Sequence, residues 1–293
     1  MLLTAPAPMP SGQALRREEL PGRFDLGLLL AALSLASLGV IMVASSSIPI
    51  ADPLAKGQHL GPFYYLTRHL VFLGGGLLLA ALAMRTELER VERTSFLLLL
   101  LALVLLLLVF VPGLGVRING ARRWIHLGIS GFQSVEAVKL LLIVYLGSYL
   151  VRQRESVQRQ LFGVVKPVGV AGLVVVLLLA QPDFGSATLI IATTVGMVWL
   201  GGARMRNLFL LGAPLLPALA WAALTQDYRV KRLTSFLDPW KDPFNDGFQL
   251  TQALIAVGRG EWTGVGLGGS IQKLYYLPEA PSDFILAVIA EEP

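Results

Sequence analysis

Cysteine is absent from the 293 residues, and histidine occurs three times, at His59, His69 and His126. Without cysteine there is no disulfide framework and no thiolate metal site. The histidines lack H-x3-H spacing, so a histidine-built metal centre is not expected. Charge is scarce too: 15% of residues are Asp, Glu, Lys or Arg, against about 25% in an average soluble domain. That deficit excludes a fully water-facing surface for a chain of this length. It also excludes disorder, which goes with abundant charge and few apolar residues. What the chain has instead is apolar mass, with 55% hydrophobic residues and a mean hydropathy of +0.67. These values point to an all-α polytopic membrane protein. The net charge of +5 is scattered between apolar runs, which fits a positive-inside bias better than a nucleic-acid partner.

A bilayer core of roughly 30 Å takes about 20 apolar residues per helix. Seven segments come close: 26–46, 69–85, 96–112, 134–151, 163–180, 186–200 and 207–225. An eighth begins at Phe284 (FILAVIA) and reaches Glu291-Glu292-Pro293 after too few residues to cross. Residues 1–23 are Pro-rich, carry Arg16, Arg17 and Arg23, and read as a disordered cytoplasmic tail. Residues 24–293 read as one membrane domain with a large extracytoplasmic loop, 226–283. With the N-terminus inside, cytoplasmic segments hold twelve Lys and Arg and the short outer loops hold five (Lys56, Arg68, Arg117, Arg122, Arg123). The positive-inside rule favours that orientation.

The loop 226–283 is far longer than a hairpin connection requires, and such loops are usually functional or disordered. This one carries Trp240, Trp262, Tyr275 and Tyr276 among charges of both signs, a composition suited to a membrane–water interface. Residues 248–257 have the pattern of a short amphipathic helix. Gly264–Gly269 only approximates G-x-G-x-x-G and follows no strand, so a dinucleotide site is not supported. Asp283 sits where the loop meets apolar sequence. A carboxylate there is either an N-cap or a general base, and position alone favours the cap. Arg117, Arg122 and Arg123 cluster on the outer side. Arginine forks grip phosphate or pyrophosphate, but interfacial anchoring is the simpler account and position alone favours it. Glu136 and Lys139 lie in the fourth span, three residues apart on one helical face. The cost of charge in the bilayer predicts a buried pair facing inward, structural or functional. Asp183, in Gln181-Pro182-Asp183-Phe184-Gly185, fits turn chemistry.

These motifs in their order resemble one family. They are Asn119-Gly120-Ala121-Arg122-Arg123-Trp124, Phe132-Gln133 with Glu136 and Lys139, Gln181–Gly185, Tyr228–Phe236, Asp238-Pro239-Trp240, Gly247-Phe248-Gln249 with Gln252, Gly258-Arg259-Gly260, Gly264–Lys273, and Tyr276–Glu279 with Asp283-Phe284. Over about residues 24–292 the chain resembles the SEDS family (shape, elongation, division and sporulation), its FtsW branch more than its RodA branch. The resemblance implies a fold of ten spans and a peptidoglycan glycosyltransferase that polymerises lipid II at the division septum of the bacterial inner membrane. It implies a class B penicillin-binding protein and other divisome membrane proteins as partners. Asp283 takes the place of the family's essential loop Asp, Arg122 or Arg123 that of its loop arginines, and Glu136 and Lys139 that of its buried pair. Arg117, Lys273, Glu279, Gln249 and Gln252 become substrate-binding candidates, Glu279 doubling as reserve carboxylate. No cofactor is implied with certainty; a divalent cation, Mg or Mn, is a weaker candidate for the pyrophosphate.

The chain departs from the family pattern at Ser134-Val135, where Pro-Ser is usual, and at Pro281-Ser282, where His-Thr is common. It also ends where the family continues, so it reads as a fragment or a truncated chain, whose activity by itself is in doubt. Two rival functions remain beside the enzyme: a lipid II flippase, and a non-catalytic scaffold for the penicillin-binding protein.

Overall fold

A computed structural model describes residues 25–48, 63–118, 121–126, 131–225 and 227–292. The N-terminal tail 1–23 and the outer-loop Lys56 lie outside the described residues. Those residues form two compact units: one takes residues up to Leu78 and from Asp238 onward, the other Leu79–Leu237.

The helices that begin the chain follow the expected spans, with shifted ends. Helix α1 (Leu26–Ser47) starts where the Asp25 carboxylate accepts from the Leu28 amide at 3.0 Å. Helix α2 (Tyr64–Arg85) begins earlier than expected and buries none of its side chains. Helix α3 (Leu88–Leu108) also begins early, in charged sequence, and Glu87–Arg90 and Glu89–Arg93 pair across its exposed first turns. Helix α4 (Ser134–Arg152), the short α5 (Arg154–Arg159) and α6 (Leu161–Ala180) follow. Among the described residues five helices, α1, α2, α3, α4 and α6, are long and apolar enough to cross a membrane. The sixth expected span is α7 (Phe184–Leu200), 17 residues. The seventh is not one helix: α8 (Met205–Gly212) and α9 (Leu215–Leu224) meet at Ala213-Pro214. A proline cannot supply the N–H that would carry the helix onward.

The core of the second unit lies where α3, α4, α6 and α7 meet. Leu99, Ala102 and Leu106 of α3 face Val135, Val138, Leu142 and Leu146 of α4, with Val174, Leu178 and Ile190 closing the cluster. Their spacing of three and four residues is the period of one helical face. At one end, Pro167 inside α6 has no N–H, which leaves the Gly163 carbonyl without its helical partner. The Tyr149 hydroxyl donates to that carbonyl at 3.1 Å.

The segment 113–133, expected as a polar loop, is a three-stranded antiparallel sheet: β1 (Gly115–Ile118), β2 (Ala121–His126) and β3 (Gly131–Gln133), in that order. Ile118 pairs with Ala121, and the sequence between them, Asn-Gly, is a two-residue hairpin signal. The bundle is otherwise helical, as the composition implied.

The expected loop 226–283 is also largely structured. Helix α10 (Asp227–Leu237) belongs to the second unit, where Arg229 stacks over the Phe184 ring at 4.8 Å. In the first unit follow a 3-10 turn at Pro239–Lys241, helix α11 (Phe248–Gly260), a π-type turn at Gln272–Tyr276 and helix α12 (Ile285–Glu291). Helix α11 contains the amphipathic stretch expected at 248–257. Small residues let α11 and α12 approach: Ala253, Ala256, Ala287 and Val288 share a core with Met42 of α1. A Cβ on Gly260 would overlap the Ala290 carbonyl.

Candidate active site

Asp283 stands two residues before α12, and its side chain is exposed. The helix start is Phe284, which has no side-chain cap. Asp283 therefore is not the N-cap that position alone favoured. Among the described residues no partner holds its carboxylate. The turn that presents it is closed by the Glu279 carbonyl, which accepts from the Ser282 amide at 3.1 Å and the Phe284 amide at 3.3 Å. Glu279 itself has φ +56°, a left-handed conformation that costs a non-glycine residue roughly 1–2 kcal/mol. Strain of this kind clusters at functional sites. The Glu279 carboxylate is exposed and accepts from the Ser282 hydroxyl at 3.0 Å. Two carboxylates thus share one turn, one tied to a hydroxyl and one free.

Gln249 is exposed and Gln252 half-buried on α11. Lys273 departs from its expected role in binding substrate. Its side chain is 6% exposed, and its ammonium meets the Glu292 carboxylate at 2.5 Å and the Ser45 hydroxyl at 3.0 Å. A lysine so engaged has no free charge to offer a substrate. Ser45 also donates to Glu292, at 2.8 Å. The neighbouring Glu291 is equally buried and accepts from Arg259 at 3.1 Å and from the Ser270 hydroxyl at 2.5 Å. Along the sequence Glu291-Glu292 marks the stop of the eighth apolar run. The signal was there: two carboxylates closing such a run need partners.

In the second unit the sheet separates the arginines. Arg117 on β1 lies directly across from Arg122 on β2, beside a bulge at Val116/Arg117. Like charges placed directly opposite on a strand pair repel. Among the described residues no carboxylate pairs with either, and the Arg122 Nε is buried without a hydrogen-bond partner. Arg123 points elsewhere, as the alternation of a strand requires. It pairs with Asp183 at 3.8 Å and donates to the Pro182 carbonyl. Asp183 also caps α7, accepting from the Ser186 amide at 3.3 Å and hydroxyl at 2.8 Å. Its turn role is as expected; its ion pair was missed.

Glu136 and Lys139 do pair, at 2.8 Å, but the pair is not buried: the Glu136 side chain is 59% exposed and that of Lys139 24%. Glu136 lies in the first turn of α4, where a carboxylate suits the positive end of the helix dipole, and the face it occupies is open.

A divalent cation would need converging oxygen donors. Among the described residues no three His, Asp or Glu side chains converge to hold a metal.

Comparison with known proteins places this geometry. Residues 26–293 match the family model of FtsW, RodA and SpoVE, described as cell cycle proteins. A probable peptidoglycan glycosyltransferase FtsW from Xanthomonas oryzae pv. oryzae is 55% identical over 96% of this chain and 56% of its own length. One from Thioalkalivibrio sulfidiphilus is 48% identical over 96% of this chain and 69% of its own. The chain therefore spans between about half and two thirds of these relatives. Among solved structures, one described as "Structural coordination of polymerization and crosslinking by a peptidoglycan synthase complex" superposes with a TM-score of 0.67 at 29% identity, covering 92% of this chain and 71% of that one. The Thermus thermophilus rod shape determining protein RodA gives 0.52 at 30% identity, covering 69% and 60%. On its sequence, its apolar helices and its match over nearly the whole length, the chain belongs to the FtsW/RodA/SpoVE family of integral membrane proteins.

Proposed function

We propose that this protein is a peptidoglycan glycosyltransferase that polymerises lipid II. The observation that carries the reading is Asp283, a free carboxylate on a strained turn, in a chain whose relatives bear that name. In the reaction a sugar 4-hydroxyl attacks the anomeric carbon of a second lipid-linked sugar. Asp283 takes the hydroxyl proton as the new C–O bond forms. The bond between the anomeric carbon and the pyrophosphate breaks, and the lipid pyrophosphate leaves with the electron pair. Negative charge grows on that leaving group, and arginine forks stabilise it best. Among the described residues of the second unit, Arg117 and Arg122 pair with no carboxylate, while Arg123 is engaged with Asp183; the family resemblance gives such loop arginines this role. Glu279 is the carboxylate next in line to Asp283.

The reading places the protein in the bacterial inner membrane at the division septum, with its N-terminus cytoplasmic and Asp283 outside. Its partners are a class B penicillin-binding protein, which crosslinks the strands, and other divisome membrane proteins. The test is polymerisation of lipid II by the intact purified protein in detergent, where no second compartment exists and a flippase makes no polymer. Glycan strands are expected from the wild type and none from Asp283→Asn. A well-folded Asp283→Asn protein with near wild-type activity would overturn the assignment.

A further inference from the structure

The geometry points to the Lys273–Glu292 pair, with Ser45 between them, as a positioning device for Asp283. This rests on Asp283 acting as the base. Helix α12 begins two residues beyond Asp283, so the placement of its first turn sets where that carboxylate stands. The apolar packing of α12, through Ala253, Ala256, Ala287, Val288 and Met42, carries no directional bond. Its far end is different. Glu291 and Glu292 are fully buried, and their carboxylates are tied to α1 through Ser45, to α11 through Arg259, and to residues 270–273 through Ser270 and Lys273. Their backbone carbonyls accept from the Val265 and Gly266 amides at 2.9 and 2.8 Å. Hydrogen bonds and ion pairs are directional where apolar contacts are not. They fix the translation and rotation of a rod whose other end presents Asp283. A general base must sit within hydrogen-bond reach of its proton, and a misplacement of about 1 Å can cost on the order of a hundredfold in rate. Lys273 and Glu292 therefore serve catalysis without touching substrate.

The experiment uses the intact protein and lipid II, with kcat and KM measured separately. Replacing both partners by apolar residues of similar size, in the double variant Lys273→Met/Glu292→Met, removes the directional contacts without stranding a buried charge. The expected result is thermal stability near wild type, kcat lowered about tenfold or more, and KM for lipid II within about threefold. Ser45→Ala removes one hydroxyl from the same cluster and serves if the double variant fails to accumulate. It is expected to lower kcat several-fold at unchanged KM. Wild-type kcat in the folded double variant, or in Ser45→Ala where only that protein is obtained, overturns the proposal. So does a change confined to KM. Asp283→Asn is assayed in parallel: if it polymerises normally, the base assignment falls first, whatever the pair does. If it is inactive while the pair variants match wild type, only the positioning role falls.

Discussion

The Tyr149 hydroxyl donates to the Gly163 carbonyl at 3.1 Å, the acceptor that Pro167 leaves unused within α6. The arrangement repairs a proline in an apolar helix, where no water stands in for the missing donor. Tyr149→Phe is expected to lower stability by about 1 kcal/mol. Pro167→Ala restores a helical N–H, so in that background the loss from Tyr149→Phe should shrink. Thermal unfolding of the four proteins of the cycle checks this, and additive losses would count against the coupling.

The two neighbouring arginines of β2 are expected to separate by phenotype. Arg123→Ala removes the partner of Asp183, a residue that keeps its capping bonds. It should lower melting temperature more than the turnover of the folded protein. Arg122→Ala should do the reverse. Arg122→Lys keeps the charge and loses the planar fork, so it should recover only part of the rate. Polymerisation rates and melting curves measured on the same preparations decide the matter.

Glu136 and Lys139 form a partly exposed pair, and a helix pair of this spacing contributes about 0.2–0.5 kcal/mol. Glu136→Gln should therefore leave the melting temperature within about 2 °C of wild type. A large loss of stability would show that the pair is enclosed in the membrane-embedded protein. A loss of activity alone would assign it a functional role.

Two glycine substitutions should contrast sharply. Gly260→Ala places a Cβ into the Ala290 carbonyl, backbone against backbone, and is expected to prevent normal accumulation. Gly74→Ala, where a Cβ meets nothing within 4 Å, should be tolerated. Expression level and detergent-extracted yield are sufficient readouts.

Much of this architecture was legible in the chain. Hydropathy sums along the sequence, so α1, α4 and α6 declare themselves within a few residues of their ends. The extension of α3 back to Leu88 did not, because charged residues at a helix start carry no hydropathy signal, although Glu89 and Arg93 pair along that turn. The sheet at 115–133 was hidden under glycine and arginine, and its only local mark was Asn119-Gly120. The motif order carried the family and directed attention to Asp283. It assigned Lys273 to substrate, because a motif names residues without saying what they face.

The sequence by itself determined that this is a helical membrane protein of one family, since apolar length and motif order are properties read along a single dimension. Only the tertiary structure decided which charges are free. Ser45 and Glu292 are 247 positions apart, and nothing local predicts that α1 closes the cluster at the end of α12. Arg122 and Arg123 are adjacent, yet strand alternation gives one a carboxylate and leaves the other facing a like charge. The availability of a charged group depends on the partners it meets across the fold, and those are set by packing.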